Sequence, residues 1–225
     1  MSRILIIPAR SGSKRIKNKN IKKLGGKPII SLAIQTAKKS KLFDEIHIST
    51  DNNKIANLAE KNSLKIKFLR NKKLSGDKVP LMDVFKFIIK KYKSIGQNFD
   101  EVWYLFPCSP FIKATDLIKA SKVFKQKKVK SLLAVAENSP PIQCSYYKNR
   151  GYLSRIERKN MNSISQKFKK TYYDTGTFGA FKNEFFIKKS KLKFFAYEIP
   201  KWRGINVDTQ EDWDLVEKIF KKNLN

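Results

Sequence analysis

Histidine and cysteine are nearly missing from this chain: His47 is alone, and Cys108 and Cys144 are the two cysteines in 225 residues. The cysteines have no metal-ligand spacing, which argues against a zinc module, and a disulfide is not expected between them in a reducing compartment. His47 falls in an apolar stretch and reads as a core or surface residue rather than a catalytic one. No apolar run approaches the length of a membrane span, and the N-terminus enters a strand pattern instead of a signal peptide. The expectation is a cytoplasmic protein without a membrane contact. Neither GxGxxG nor GxxxxGK[ST] occurs, which excludes the two commonest glycine-rich phosphate signatures. Zinc-finger, RNP and helix-turn-helix patterns are lacking as well.

Acidic residues are few: 19 Asp and Glu against 49 Lys and Arg leave a formal charge of +30. Such a balance raises the possibility of a nucleic-acid binder. The lysines are spread along the chain rather than gathered in a block, so nucleic acid is not the expected partner. The charge instead favours anionic small ligands. A hydrophobic content of 41% supports one substantial core, and residues 1–225 read as a single domain.

Residues 4–8, 45–49, 66–69, 101–106 and 131–136 read as strands, and 28–40, 80–92 and 114–126 as helices, with another helix ending near 59. A strand at 177–181 and a helix over 209–221 close the chain. This alternation predicts an α/β fold, an open and mostly parallel sheet with helices on both faces. Residues 137–172 break the rhythm and contain a hairpin pattern turning at 149–151. In open sheets of this kind ligands bind beyond the carboxyl ends of the strands. The loops after Pro8, Ser49 and Phe106 lie at that edge.

The first of these loops holds the densest chemistry. Arg10, Lys14, Arg15 and Lys19 supply charge, Ser11 and Ser13 supply hydroxyls, and Gly12 lets the backbone approach an anion closely. A solvated basic loop is the plain alternative; a polyphosphate cradle is the functional one.

The stretch IIPARSGSKRIKNKNIKKLGGKPII resembles the opening signature of the acylneuraminate cytidylyltransferases, which activate sialic-acid-like sugars with CTP. The segment LRNKKLSGD, 69–77, and the segment NVDTQEDW, 206–213, are similar to two further motifs of that family. The resemblance implies a nucleotide-diphospho-sugar transferase-like fold, with Mg2+ as cofactor. It implies triphosphate contacts from Arg10 and Lys19, with Ala9, Ser11, Gly12, Ser13, Lys14 and Asn20 beside them. Arg70, Ser75 and Asp77 would lie near the nucleotide, though a surface ion pair explains Arg70 and Asp77 equally well. Asp208 is the expected metal ligand and, with Arg10 and Lys19, catalytic. Asn206 stands where the family commonly has a second carboxylate, which weakens that site, and Thr209 reads as a helix cap with Asp212 supporting the helix dipole.

Phe106, Cys108 and Ile112 replace the Gln, Thr and Arg typical of sialic-acid-activating members, which argues against N-acetylneuraminate. The segment from Ser165 to Phe178 is similar to the pseudaminic acid branch, although Ile164 replaces its usual arginine. The resemblance thus implies acceptor contacts from Phe106, Ser109, Gln166, Tyr172, Asp174, Thr175 and Phe178, the aromatic pair Tyr172 and Phe178 being equally readable as core. It implies a homodimer, with 137–172 as the dimerisation element. The expected partners are CTP and an acidic nine-carbon sugar. Alternatives are activation of N-acetylneuraminate, legionaminate or 3-deoxy-octulosonate, and a non-catalytic basic nucleotide- or RNA-binding protein.

Overall fold

The computed structural model describes residues 1–156, 168–187 and 193–222. The first half contains β1 (Arg3–Pro8), β2 (Lys23–Leu24), β3 (Lys27–Pro28), α1 (Ile29–Ser40), β4 (Glu45–Ser49), α2 (Asn53–Lys61), α3 (Leu81–Ser94) and β5 (Glu101–Leu105). Then come α4 (Ala114–Gln126), β6 (Ser131–Glu137), β7 (Tyr146–Asn149), β8 (Tyr152–Arg155), β9 (Tyr172–Lys182), α5 (Glu184–Ile187), β10 (Phe195–Glu198) and α6 (Gln210–Lys222).

Six of these strands form one sheet in the order β10-β6-β9-β5-β1-β4. β1 pairs in parallel with β4 and β5, and β10 with β6; β9 runs antiparallel between β5 and β6. The expected α/β class and mostly parallel sheet are therefore observed. Side chains alternate across the pleat. Leu5 and Ile7 of β1 join Trp103, Leu105 and residues of α1, α2 and α4 in one core. Ile4 and Ile6 point the other way, into Val84, Phe85, Ile88 and Tyr92 of α3. Helices thus cover both faces because β1 is apolar at every position from Ile4 to Ile7.

β4 and β5, the next two long strands after β1, pair with it on opposite sides. That reversal opens a crevice beyond the carboxyl end of β1, the place where such sheets bind ligands. A third cluster braces the crevice: Trp213 and Val216 of α6 pack with Ile16, Leu24, Ile29, Cys108 and Val207. Gly25 makes this possible. It sits at φ +54°, and a Cβ there would come within 2.2 Å of the Phe220 ring.

Two departures from the sequence expectation have clear causes. Residues 66–69 form no strand; Leu64, Ile66 and Phe68 tuck inward, but the segment reaches the sheet by a single backbone bond, Arg70 N to Thr50 O (2.7 Å). β9 begins five residues before the expected 177, because Tyr172, Tyr173 and Asp174 pair with Glu137, Ala136 and Val135 of β6. The hairpin appears as β7 and β8, joined by Arg150 and Gly151 at φ 47° and 91°. Positive φ at both central residues is the two-residue turn that matches strand twist.

Candidate active site

Beyond the end of β1 lies a cleft of about 350 Å³. One wall is the basic loop, contributing Arg10, Ser13, Lys14, Arg15, Lys19 and Asn20; the other is Phe106, Pro107 and Cys108 after β5, with Asn206 and Asp208 closing the floor. The sheet brings these segments together, since β1 and β5 are neighbours and Val207 N bonds Cys108 O at 3.0 Å.

Four cations of the loop, Arg10, Lys14, Arg15 and Lys19, are held by carboxylates from distant parts of the chain. Arg10 pairs with Asp77, and Lys14 Nζ lies 2.6 Å from the same carboxylate. Hydrogen bonds from Lys14 and Arg10 hold the Asp77 carboxyl below its usual range. Asp208 Oδ1 receives Lys19 Nζ at 2.9 Å and Arg15 Nη2 at 3.1 Å. Lys19 also donates to Val207 O at 2.6 Å. With four cations facing two carboxylates, the cleft is net positive and suited to a polyphosphate, whose oxygens can replace Asp77.

The remaining expected nucleotide contacts divide into two groups. Ser13 and Asn20 line the cleft, and Asn20 Nδ2 braces the loop by donating to Arg10 O at 2.9 Å. Ala9 is buried, with its amide bonded to Ser49 O. Ser11 turns to Asp51, donating both its amide (2.9 Å) and its hydroxyl (2.8 Å). Gly12 lies between these two anchored serines, and the Ser13 amide bonds Ser11 O at 2.9 Å. The amides of Ser11 and Ser13 are thus engaged within the protein, and the cleft presents side chains instead. Ser75 donates its hydroxyl to Asn71 O, and its carbonyl receives Arg10 at 3.4 Å.

Arg70 is buried and points inward, giving Nε to Ser49 Oγ (2.9 Å) and Nη2 to Ser49 O (2.7 Å). Burial lowers its pKa to about 10, partly offset by Asp51. Asp51 is the residue that the sequence reading missed. Its burial alone would raise its pKa, but the two Ser11 hydrogen bonds outweigh that and keep it ionised. Its place just past the carboxyl end of β4, on the ligand edge, was the available signal.

On the acceptor side, Phe106 lines the cleft and stands edge-on to Tyr104, ring centroids 5.6 Å apart. Ser109 is buried, and its hydroxyl finds no partner among the described residues. Tyr172 and Asp174 start β9, whose beginning lies at the ligand edge because β9 runs against its neighbours. Asp174 Oδ1 accepts from Gly176 N at 2.7 Å. Thr175 is buried, with its hydroxyl on Ala134 O, and Phe178 is fully buried against Tyr197. Both side chains therefore serve the sheet and the core rather than the cleft wall, because they fall between β5 and β6. Gln166 lies outside the described residues.

Asn206 Oδ1 accepts from the Cys108 thiol at 2.6 Å. Burial pushes that thiol up to about 11, with Lys19 pulling the other way, so it is a proton donor at neutral pH. Thr209 caps α6 as expected, and Asp212 returns the bond, so the two exchange hydrogen bonds in a reciprocal cap.

A doubly wound sheet with a cationic cleft at its switch point is the arrangement of an α/β protein that takes anionic ligands beyond the carboxyl ends of its strands. The cytidylyltransferase family profile matches residues 4–222, and the chain belongs to that family of CTP-dependent nucleotidyltransferases. It is 34% identical over 229 residues to a pseudaminic acid cytidylyltransferase of Campylobacter jejuni, covering 99% of this chain and 98% of that one. A CMP-N,N'-diacetyllegionaminic acid synthase of Legionella pneumophila is 30% identical, covering 98% and 97%. Among solved structures, a CMP:2-keto-3-deoxy-manno-octonic acid synthetase complexed with CTP superposes with a TM-score of 0.75 at 16% identity, covering 99% of this chain and 100% of that chain. Cytidylyltransferases of this kind generally use a divalent metal. Among the described residues, no group of three or more His, Cys, Asp or Glu could hold one, and no helix is long and apolar enough to cross a membrane.

Proposed function

We propose that this enzyme activates a nonulosonic acid, pseudaminic acid, with CTP. The anomeric hydroxyl oxygen of the sugar attacks the α-phosphorus in line, a P–O bond forms, and the bond to the β-phosphate breaks. Pyrophosphate leaves, the hydroxyl proton passes to solvent, and the product is the CMP-sugar. Arg10, Lys14 and Lys19 bind the triphosphate, with Arg10 and Lys19 stabilising the charge that builds on the leaving pyrophosphate. Asn20 and Ser13 shape the loop, while Arg70, Asp77 and Ser75 support the nucleotide side from behind. Phe106 and Asp174 face the sugar, and Ser109 offers a hydroxyl beside them. The divalent ion that accompanies the triphosphate is Mg2+.

The observation that carries this reading is the end-to-end similarity to a pseudaminic acid cytidylyltransferase, in a chain whose cationic cleft opens at the switch point. The exposed Tyr147, Tyr152 and Leu153 on the β7–β8 hairpin support a homodimer built through that element, and the substrates suit the cytoplasm. Light scattering behind a sizing column tests the dimer; a monomer would remove it. The test of function is pyrophosphate release from CTP with a panel of nonulosonic and octulosonic acids, with ATP, GTP and UTP as controls. Release with CTP and pseudaminic acid is expected. Release with legionaminic acid alone would change the acceptor, and release with none would overturn the reading.

A further inference from the structure

The donors at the floor of the cleft do not fit a protein-held divalent ion. Such an ion favours several charged oxygens with open lone pairs. Here the side chain at 206 is an amide, and its oxygen is taken by the Cys108 thiol at 2.6 Å. Gly176, at φ +60°, packs behind it: a Cβ there would lie 3.1 Å from Asn206 Nδ2, so the amide is wedged between a bare glycine and a buried thiol. Asp208 supplies the floor's one carboxylate, and Oδ1 already faces two cations, Lys19 and Arg15. Lys19 is the better buried of the two and is further fixed by Val207 O at 2.6 Å. An ammonium and a guanidinium thus already face Asp208 Oδ1, and their two positive charges oppose a third cation there.

We infer that the free protein does not bind a divalent cation at this floor: the ion arrives on the triphosphate, and Lys19, anchored by Asp208, is the resident protein-side cation. The Cys108–Asn206 pair, which leaves no carboxylate at 206, and the two cations on Asp208 together exclude the metal from the protein. This rests on the cytidylyltransferase reading only for the arrival of the ion with CTP; exclusion from the free protein stands on geometry alone.

The test is titration of Mn2+ against the full-length protein, following the free-ion signal by electron paramagnetic resonance. Without nucleotide, wild-type protein is expected to leave the signal unchanged. Asn206→Asp, which removes the amide and adds a second charge two residues from Asp208, is expected to bind Mn2+ and deplete the free-ion signal that the parent leaves unchanged. With CTP present, wild-type protein is expected to slow the bound Mn2+ further, as a ternary complex. Mn2+ binding by the free wild-type protein that is lost in Asp208→Asn would overturn the inference, and needs no folded Asn206 variant. A folded Asn206→Asp protein, verified by its circular dichroism, that gains no Mn2+ would overturn the role of Asn206. Failure of CTP to bind at all would sink the proposed function while leaving the free-protein result intact.

Discussion

Lowering the pH should destabilise this protein through a single imidazole. His47 sits in β4 and is 2% exposed, stacked near Phe68 and edge-on to Tyr92. Tyr92 donates to Glu45 Oε1, so its oxygen accepts from His47, whose proton is thereby assigned to Nδ1 (3.1 Å). Burial first, and then the nearby Arg70 and Lys67 cations, lower its pKa from 6.5 to about 3. The unfolded chain therefore takes up the proton first. Stability from keeping His47 neutral is complete above pH 6.5 and is lost as pH falls from 6.5 toward 3. At about 1.4 kcal/mol per pH unit, the loss reaches roughly 2 kcal/mol by pH 5 and about 5 kcal/mol by pH 3. That compares with the roughly 5–15 kcal/mol total of a typical domain. Because the chain has one histidine, its imidazole gives one set of ring resonances in the proton NMR spectrum. In the folded protein these should not titrate between pH 8 and 5, while urea unfolding at pH 5 should show the loss. A folded-state midpoint between 6 and 7 would refute the reasoning.

Three further outcomes are expected. Arg10→Ala removes the cation that Asp77 now holds, and should cut kcat/KM for CTP by about a hundredfold with an unchanged melting temperature; an unchanged kcat/KM would remove Arg10 from the triphosphate site. Asp51→Asn keeps one of the two Ser11 bonds and loses the charge near Arg70, so urea titration should read a loss of about 1–2 kcal/mol and KM for CTP should rise several-fold. Gly25→Ala forces a Cβ into the Phe220 ring at positive φ, costing about 2–4 kcal/mol, measured as a fall in Tm of roughly 5–10 °C. Adding Phe220→Ala should return part of that loss, so the two substitutions will not add.

Most elements of the first 136 residues were legible because their signals are local. Ile4 to Ile7 form a continuous apolar run, and α1, α3 and α4 repeat apolar residues at helical spacing. The strand expected at 66–69 shows the limit of such signals. Its alternation is real, with Ile66 and Phe68 half-buried between the exposed Lys65, Lys67 and Leu69, but a strand needs a partner ladder and only Arg70 finds one bond. The converse holds for Tyr172 to Asp174, which precede the expected strand at 177 yet pair with β6 as part of β9.

The candidate site divides along the same line. Sequence alone determined the basic loop, its position at the carboxyl edge and the acidic motif before α6, since residue type and order carry charge and strand direction. Tertiary structure alone decided which groups answer that charge. Asp51, Asp77 and Asp208 reach the loop from 40 or more residues away, and Cys108 meets Asn206 across 98 residues. It also decided that Arg70 turns into the protein and that Thr175 and Phe178 belong to the sheet and its core. Such pairings depend on the order in which strands are laid side by side, a property of the whole core's packing that no local pattern contains.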